Sequence, residues 1–192
     1  MKILTSKMLV MQALDMLAVS IYPVPPDRFG LSAAKTVPLN LLAIQQREIM
    51  QLSQSTGRIR AILLANVVCR LAIERKTKTL LITGQHSMTA LAVNLLLYRA
   101  NIDLEKIANP NWYQSEMKRL SIAAGELARA PLFVVGQMLT PAYSDVVSSI
   151  VINNGTRCLV VENPPPKSIW NWQQLSCEFG VPITIISSNS VL

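Results

Sequence analysis

From residue 48 onward, short apolar runs alternate with longer stretches of helical spacing, and no other feature limits the fold as tightly. The runs are residues 48–53, 79–83 (TLLIT), 131–135 (PLFVV), 157–161 (RCLVV) and 182–187 (PITIIS). Between them, residues 59–73, 88–100, 112–129, 141–152 and 169–179 place apolar side chains at helical intervals. Continuous apolar runs of this length mark strands covered on both faces. Strands that alternate with helices specify an α/β fold: a mostly parallel central sheet flanked by helices. Pro141 suits the first position of a helix and Gly180 the position after one.

The amino-terminal part reads differently. Residues 8–21 (MLVMQALDMLAVSI) are largely apolar but are interrupted by Gln12 and Asp15, and the run is too short to cross a bilayer. No small-x-small cleavage site precedes the YPVPPD stretch, so a secretory signal is not expected. The spacing predicts an amphipathic helix over 6–21, with Ser6 as N-cap and Pro23 as terminator. Residues 1–30 are therefore expected to form a helix and a Pro-rich linker, and 31–192 the α/β domain. The helix must cover its own domain or another subunit. Met8 and Met11 suit an adaptable contact with a partner.

Composition narrows the function classes. An apolar fraction of 51% against 15% charged residues excludes a disordered chain. The net charge of +7 fits an anionic partner, DNA included. Six of the cations, Arg58, Arg60, Arg70, Arg75, Lys76 and Lys78, fall within 58–78 against Glu74 alone. Aromatic residues make up only 5%, too few for an extended base-stacking platform. Cys69, Cys158 and Cys177 are widely spaced and odd in number, which points to a reducing, cytoplasmic setting without disulfides or zinc. His86 is the one histidine, so no His-rich metal site is expected.

The first strand–turn–helix, QLSQSTGRIRAILLANVV (51–68), has the outline of a phosphate-binding loop. Ser55, Thr56, Gly57 and Arg58 would offer a phosphate or other anion a helix amino terminus. Arg58 and Arg60 oppose the helix dipole there. They point either to an anionic partner or to a solvated face. Arg75, Lys76 and Lys78 close the same helix, where cations are simply favourable.

Several segments carry a resemblance. TLLITGQHSMTALAVNLLLYRANIDLEKIANPNW (79–112), LSIAAGELARAPLFVV (120–135) and LTP (139–141) resemble, in order and spacing, the carboxy-terminal RecA-like domain of the DnaB-type replicative DNA helicases. Asp103, Lys106, Ile107, Trp112 and Pro131 fall on matching positions. RCLVVENPPP (157–166) resembles the Walker B strand, and FGVPITIISSNS (179–190) the strand after it. The likeness covers roughly residues 48–190 and implies a RecA-like domain of P-loop type with ATP, Mg²⁺ and DNA as the family's ligands.

The departures lie where that chemistry would sit. Phosphoryl transfer needs a lysine on the β/γ-phosphates and a hydroxyl on Mg²⁺. Arg58 stands at the lysine position and Ile59 at the hydroxyl position, and an aliphatic side chain cannot ligate a metal. Gln85 aligns with the water-activating glutamate and cannot take a proton near neutral pH. Glu162 aligns with the Walker B acid, Ser188 with a glutamine of the last strand. The DNA-contacting loop after Walker B is cut to NPPPKSIW, and the sequence stops at Leu192, ahead of the family's arginine finger. The resemblance thus implies a catalytically degenerate helicase-like protein acting through association with itself or a replicative helicase, with no cofactor or metal. Two alternatives are a divergent ATPase using Arg58 and Glu162, and a basic DNA-binding protein without nucleotide.

Overall fold

A computed structural model of the chain describes residues 3–19, 49–53, 57–84, 88–103, 111–136, 143–164 and 172–187. Five strands, β2 (Ile49–Ser53), β3 (Thr79–Thr83), β4 (Leu132–Gly136), β5 (Cys158–Glu162) and β6 (Ile183–Ser187), run parallel in the order β4-β3-β5-β6-β2. They lie where the apolar runs place them. A sixth strand, β1 (Ile3–Thr5), lies antiparallel along β4 and is not among the expected elements.

Helices cover both faces: α1 (Ser6–Val19), α2 (Gly57–Val68), α3 (Met88–Ala100), α4 (Trp112–Ala128), α5 (Tyr143–Asn154) and α6 (Trp172–Phe179). The period-2 geometry of the strands divides their side chains. Leu81, Val134, Val160 and Ile186 pack with α1–α4 in one core. Leu80, Ile82, Val135, Leu159, Val161 and Ile185 pack on the other face with Val147 and Ile150 of α5 and with Trp172 and Leu175 of α6. Both faces being buried explains why these strands read as unbroken apolar runs.

The chain's first helix covers its own domain. Leu9, Val10, Ala13 and Leu17 are buried in the α1–α4 core, while Met8, Met11 and Met16 remain exposed. The expected N-cap is displaced by one residue. Thr5 Oγ1 accepts from the Met8 amide at 3.5 Å, whereas the Ser6 hydroxyl is spent on the carbonyls of Ala130 (2.7 Å) and Ala128 (3.2 Å). Ser6 thereby ties the start of α1 to the end of α4.

Beyond Val68 the helix does not continue in α geometry as its spacing predicts. Cys69–Glu74 widens into a π-helical turn, and Lys76 then takes a positive φ of 54°. The α3 terminus is closed by Asn101 in the left-handed region, with the Ile102 amide donating to Leu97. Arg119 clamps it, donating to the Asn101 carbonyl at 2.6 Å and to Glu116 at 2.8 Å. Arg99 binds Glu126 at 2.5 Å, and this bond holds the Glu126 carboxyl below its usual range. Among the described residues no helix is long and apolar enough to cross a membrane.

The cysteines separate by burial. Cys69 and Cys158 are buried and their thiols are pushed up to about 12, chiefly by desolvation, while Cys177 is exposed. Thiolate is the reactive species. Titration of the native protein with a disulfide reagent should therefore release one equivalent quickly and the other two only after denaturation. Rapid reaction of all three would contradict this packing.

Candidate functional site

The strand order creates a switch point. The connection after β3 leads outward to β4, and the connection after β5 leads the opposite way to β6, although β3 and β5 are neighbours. Parallel sheets bind ligands in the crevice outside the carboxyl ends of such a pair. Thr83 closes β3 and Glu162 closes β5, and the two are register partners. They project to the same face as Leu81 and Val160, the face on which α2 and α3 lie.

The Thr83 hydroxyl donates to Glu162 Oε2 at 2.6 Å, within the range of a charge-assisted bond. Glu162 is fully buried and Thr83 is 2% exposed. Directly after it Asn163 adopts a positive φ of 45°, with its amide on the Ile186 carbonyl at 2.9 Å. The strand end is thus turned sharply, with the carboxylate bonded to β3 and the backbone after it bonded to β6. On the β4 side, Gly136 pairs with Thr83. A Cβ there would lie 3.2 Å from the Met88 terminal methyl, so α3 comes close to this strand end.

The other expected positions lie apart from this pair. Gly57 opens α2, which follows β2 at the far edge of the sheet; β6 stands between β2 and the strand that carries Glu162. Two strand spacings amount to about 10 Å. Arg58 lies in the first turn of α2; its side chain, and all of Ser55, Thr56, Gln85 and His86, lie outside the described residues. Ile59 is exposed, whereas Arg60 is buried. Met8 and Met11 lie on the outer face of α1, far along the chain from this crevice. Among the described residues no cluster of three side chains could hold a metal ion.

The cations of 58–78 do not form one locus: Arg58 and Arg60 lie at the carboxyl edge of the sheet, and Arg75, Lys76 and Lys78 at the amino edge, the length of α2 and its π turn away. Nor is Glu162 an isolated carboxylate. Its partner Thr83 is not singled out by the sequence, although TLLIT and CLVVE are both apolar runs ending in a polar residue. Which strands are neighbours decides that the two ends meet, and the sequence carries no local signal for that.

No protein-family model matches the sequence, and no curated protein matches it. Among solved structures, a chain described as "The Structure Of A DnaB-Like Replicative Helicase And Its Interactions With Primase" superposes with a TM-score of 0.57 at 14% identity. The match covers 75% of this chain and 39% of the other, so this chain spans about two fifths of that neighbour's length. At that identity the likeness is one of fold: a RecA-like α/β domain as found in a DnaB-like helicase.

Proposed function

We propose that this chain is a catalytically degenerate RecA-like module that acts by association, with itself or with a replicative helicase, rather than by turning over ATP. The observation that carries this reading is Ile59. It occupies the first turn of α2, where the fold would present a hydroxyl to Mg²⁺, and offers an aliphatic side chain instead. The retained acid supports the same view. Glu162 is fully buried and engaged by Thr83, an arrangement that braces two strand ends. Met8 and Met11 give the association a surface, since α1 exposes them while its other face is committed to the core.

With Mg-ATP and DNA, phosphate release should stay at background, and Arg58→Ala should change nothing. Turnover that disappears in Arg58→Ala would instead establish the divergent ATPase. Light scattering behind size exclusion, alone and with a hexameric replicative helicase, should show a complex that the double variant Met8→Lys/Met11→Lys loses. A monomer that binds no helicase would remove the proposal. These substitutions are preferable to deleting the helix, because deletion removes core residues as well.

A further inference from the structure

The amino edge of the sheet, opposite the carboxyl-end crevice, carries a row of cations assembled from distant parts of the sequence. Along the strand order β1-β4-β3-β5 the row is Lys7 at the turn out of β1, Arg129 before β4, Lys78 before β3 and Arg157 before β5. All four are exposed, as are Arg75 and Lys76 beside Lys78. Backbone bonds fix the row. The amides of Arg157 and Cys158 donate to the Lys78 carbonyl at 2.8 and 3.2 Å, and Thr79 donates to Pro131 at 2.9 Å. Ser6, next to Lys7, donates to Ala130, next to Arg129. Four strands at their usual spacing set these stems over about 15 Å.

Helix dipoles account for only part of this. Arg75, Lys76 and Arg129 follow helix carboxyl ends, where a cation is stabilising. Lys7 sits in the first turn of α1, where it is unfavourable, and Lys78 and Arg157 stand immediately before strands. Among the described residues the carboxylates at this end include Glu74, Asp103, Glu116, Glu126 and Glu178; Glu74 and Glu126 face Arg99, Glu126 is also held down by Lys76 and Arg129, and Glu116 accepts from Arg119. A net positive rim remains.

The geometry points to a binding surface for the phosphodiester backbone of duplex nucleic acid along this rim, on the opposite side of the domain from the degenerate phosphate turn. The rim is linear, as a backbone is. Duplex is favoured over single strands because aromatic residues make up only 5% of the chain and Lys7, Lys78, Arg129 and Arg157 have none beside them in sequence. Single-strand sites rely on stacking against aromatic rings, whereas a duplex presents a denser line of charge to cations alone. Such contacts position a protein without reading sequence.

The test uses the full chain, with anisotropy of a labelled duplex of about 30 base pairs followed against salt. The triple variant Lys78→Gln/Arg129→Gln/Arg157→Gln should bind at least about tenfold more weakly. Its slope of log K against log salt should be shallower by about 3, one for each phosphate that the variant no longer neutralises. Lys7→Gln alone should reduce the slope by about 1, which keeps the test decisive if the triple variant fails to melt cooperatively by circular dichroism. Absence of duplex binding by the native chain, or an unchanged slope in both variants, would overturn the inference. So would tighter binding of a single strand of equal length. Equal, rim-dependent binding of polyglutamate or of phosphatidylserine vesicles would overturn it too, by assigning the rim to an acidic protein or a membrane. None of these outcomes bears on association through α1.

Discussion

Leu9→Ala should lower the stability of the domain by about 3 kcal/mol, and removing residues 1–19 should leave no cooperatively folded protein. Leu9 is fully buried, in a core that it shares with α2, α3 and α4. A leucine truncated in a close-packed interior costs about 2–5 kcal/mol, because the lost transfer energy is joined by a cavity. Deleting the whole segment removes Leu4, Leu9, Val10, Ala13 and Leu17 together and uncovers the surface of α3 and α4 beneath them. Burial of such side chains stabilises by about 1.5–3 kcal/mol each, so the loss is comparable with the roughly 5–15 kcal/mol that holds a whole domain folded. Urea titration followed by circular dichroism measures both. A truncated chain with an unaltered midpoint would show that α1 is a detachable arm.

The second large effect belongs to the switch point. Thr83→Val keeps the shape of the side chain and removes the hydroxyl that Glu162 accepts from. A hydrogen bond to a charged group contributes about 1.5–3 kcal/mol, and a buried acceptor that loses its donor costs at least as much. Thr83→Val should therefore destabilise by about 2–3 kcal/mol despite its conservative shape. Adding Glu162→Leu to it should recover part of that loss, since the acid left without the Thr83 donor is removed with it. A double-mutant cycle between the two positions should show a coupling of at least about 1 kcal/mol. Additive effects would mean that the bond contributes nothing and that other neighbours of Glu162 hold it in place.

The strands and most helices are legible because their information is local. Residues 79–83 and 88–100 are bounded by basic or polar turns, and the observed bounds of β3 and α3 coincide with them. β1 escapes such a reading because Ile3–Thr5 is only three residues long and its partner, β4, lies far along the sequence. The π turn at Cys69–Glu74 leaves no trace in a sequence whose apolar spacing suits an α-helix equally well. The candidate site is half legible. The acid at Glu162 follows from its place after an apolar run. Its pairing with Thr83 follows from β3 and β5 being neighbours, which the order of the segments does not state. The cationic rim is hidden for the same reason: Lys7, Lys78, Arg129 and Arg157 come from four separate segments.

The pairings of β1 and β2 also govern how the protein can be made. Ile3 faces Val135, and Ile49 faces Ile183. Each of these pairings closes a loop of about 130 residues, the kind of non-local pairing that slows folding. On a ribosome adding about 5–20 residues per second, β2 waits on the order of ten seconds for its only described neighbour to emerge. In that interval β3, β4 and β5 can assemble and β1 can pair with β4, whereas β2 is already outside the exit tunnel with its edge unpaired. β2 is thus among the first strands made and the last to be paired, which leaves its edge open to other chains for the longest time.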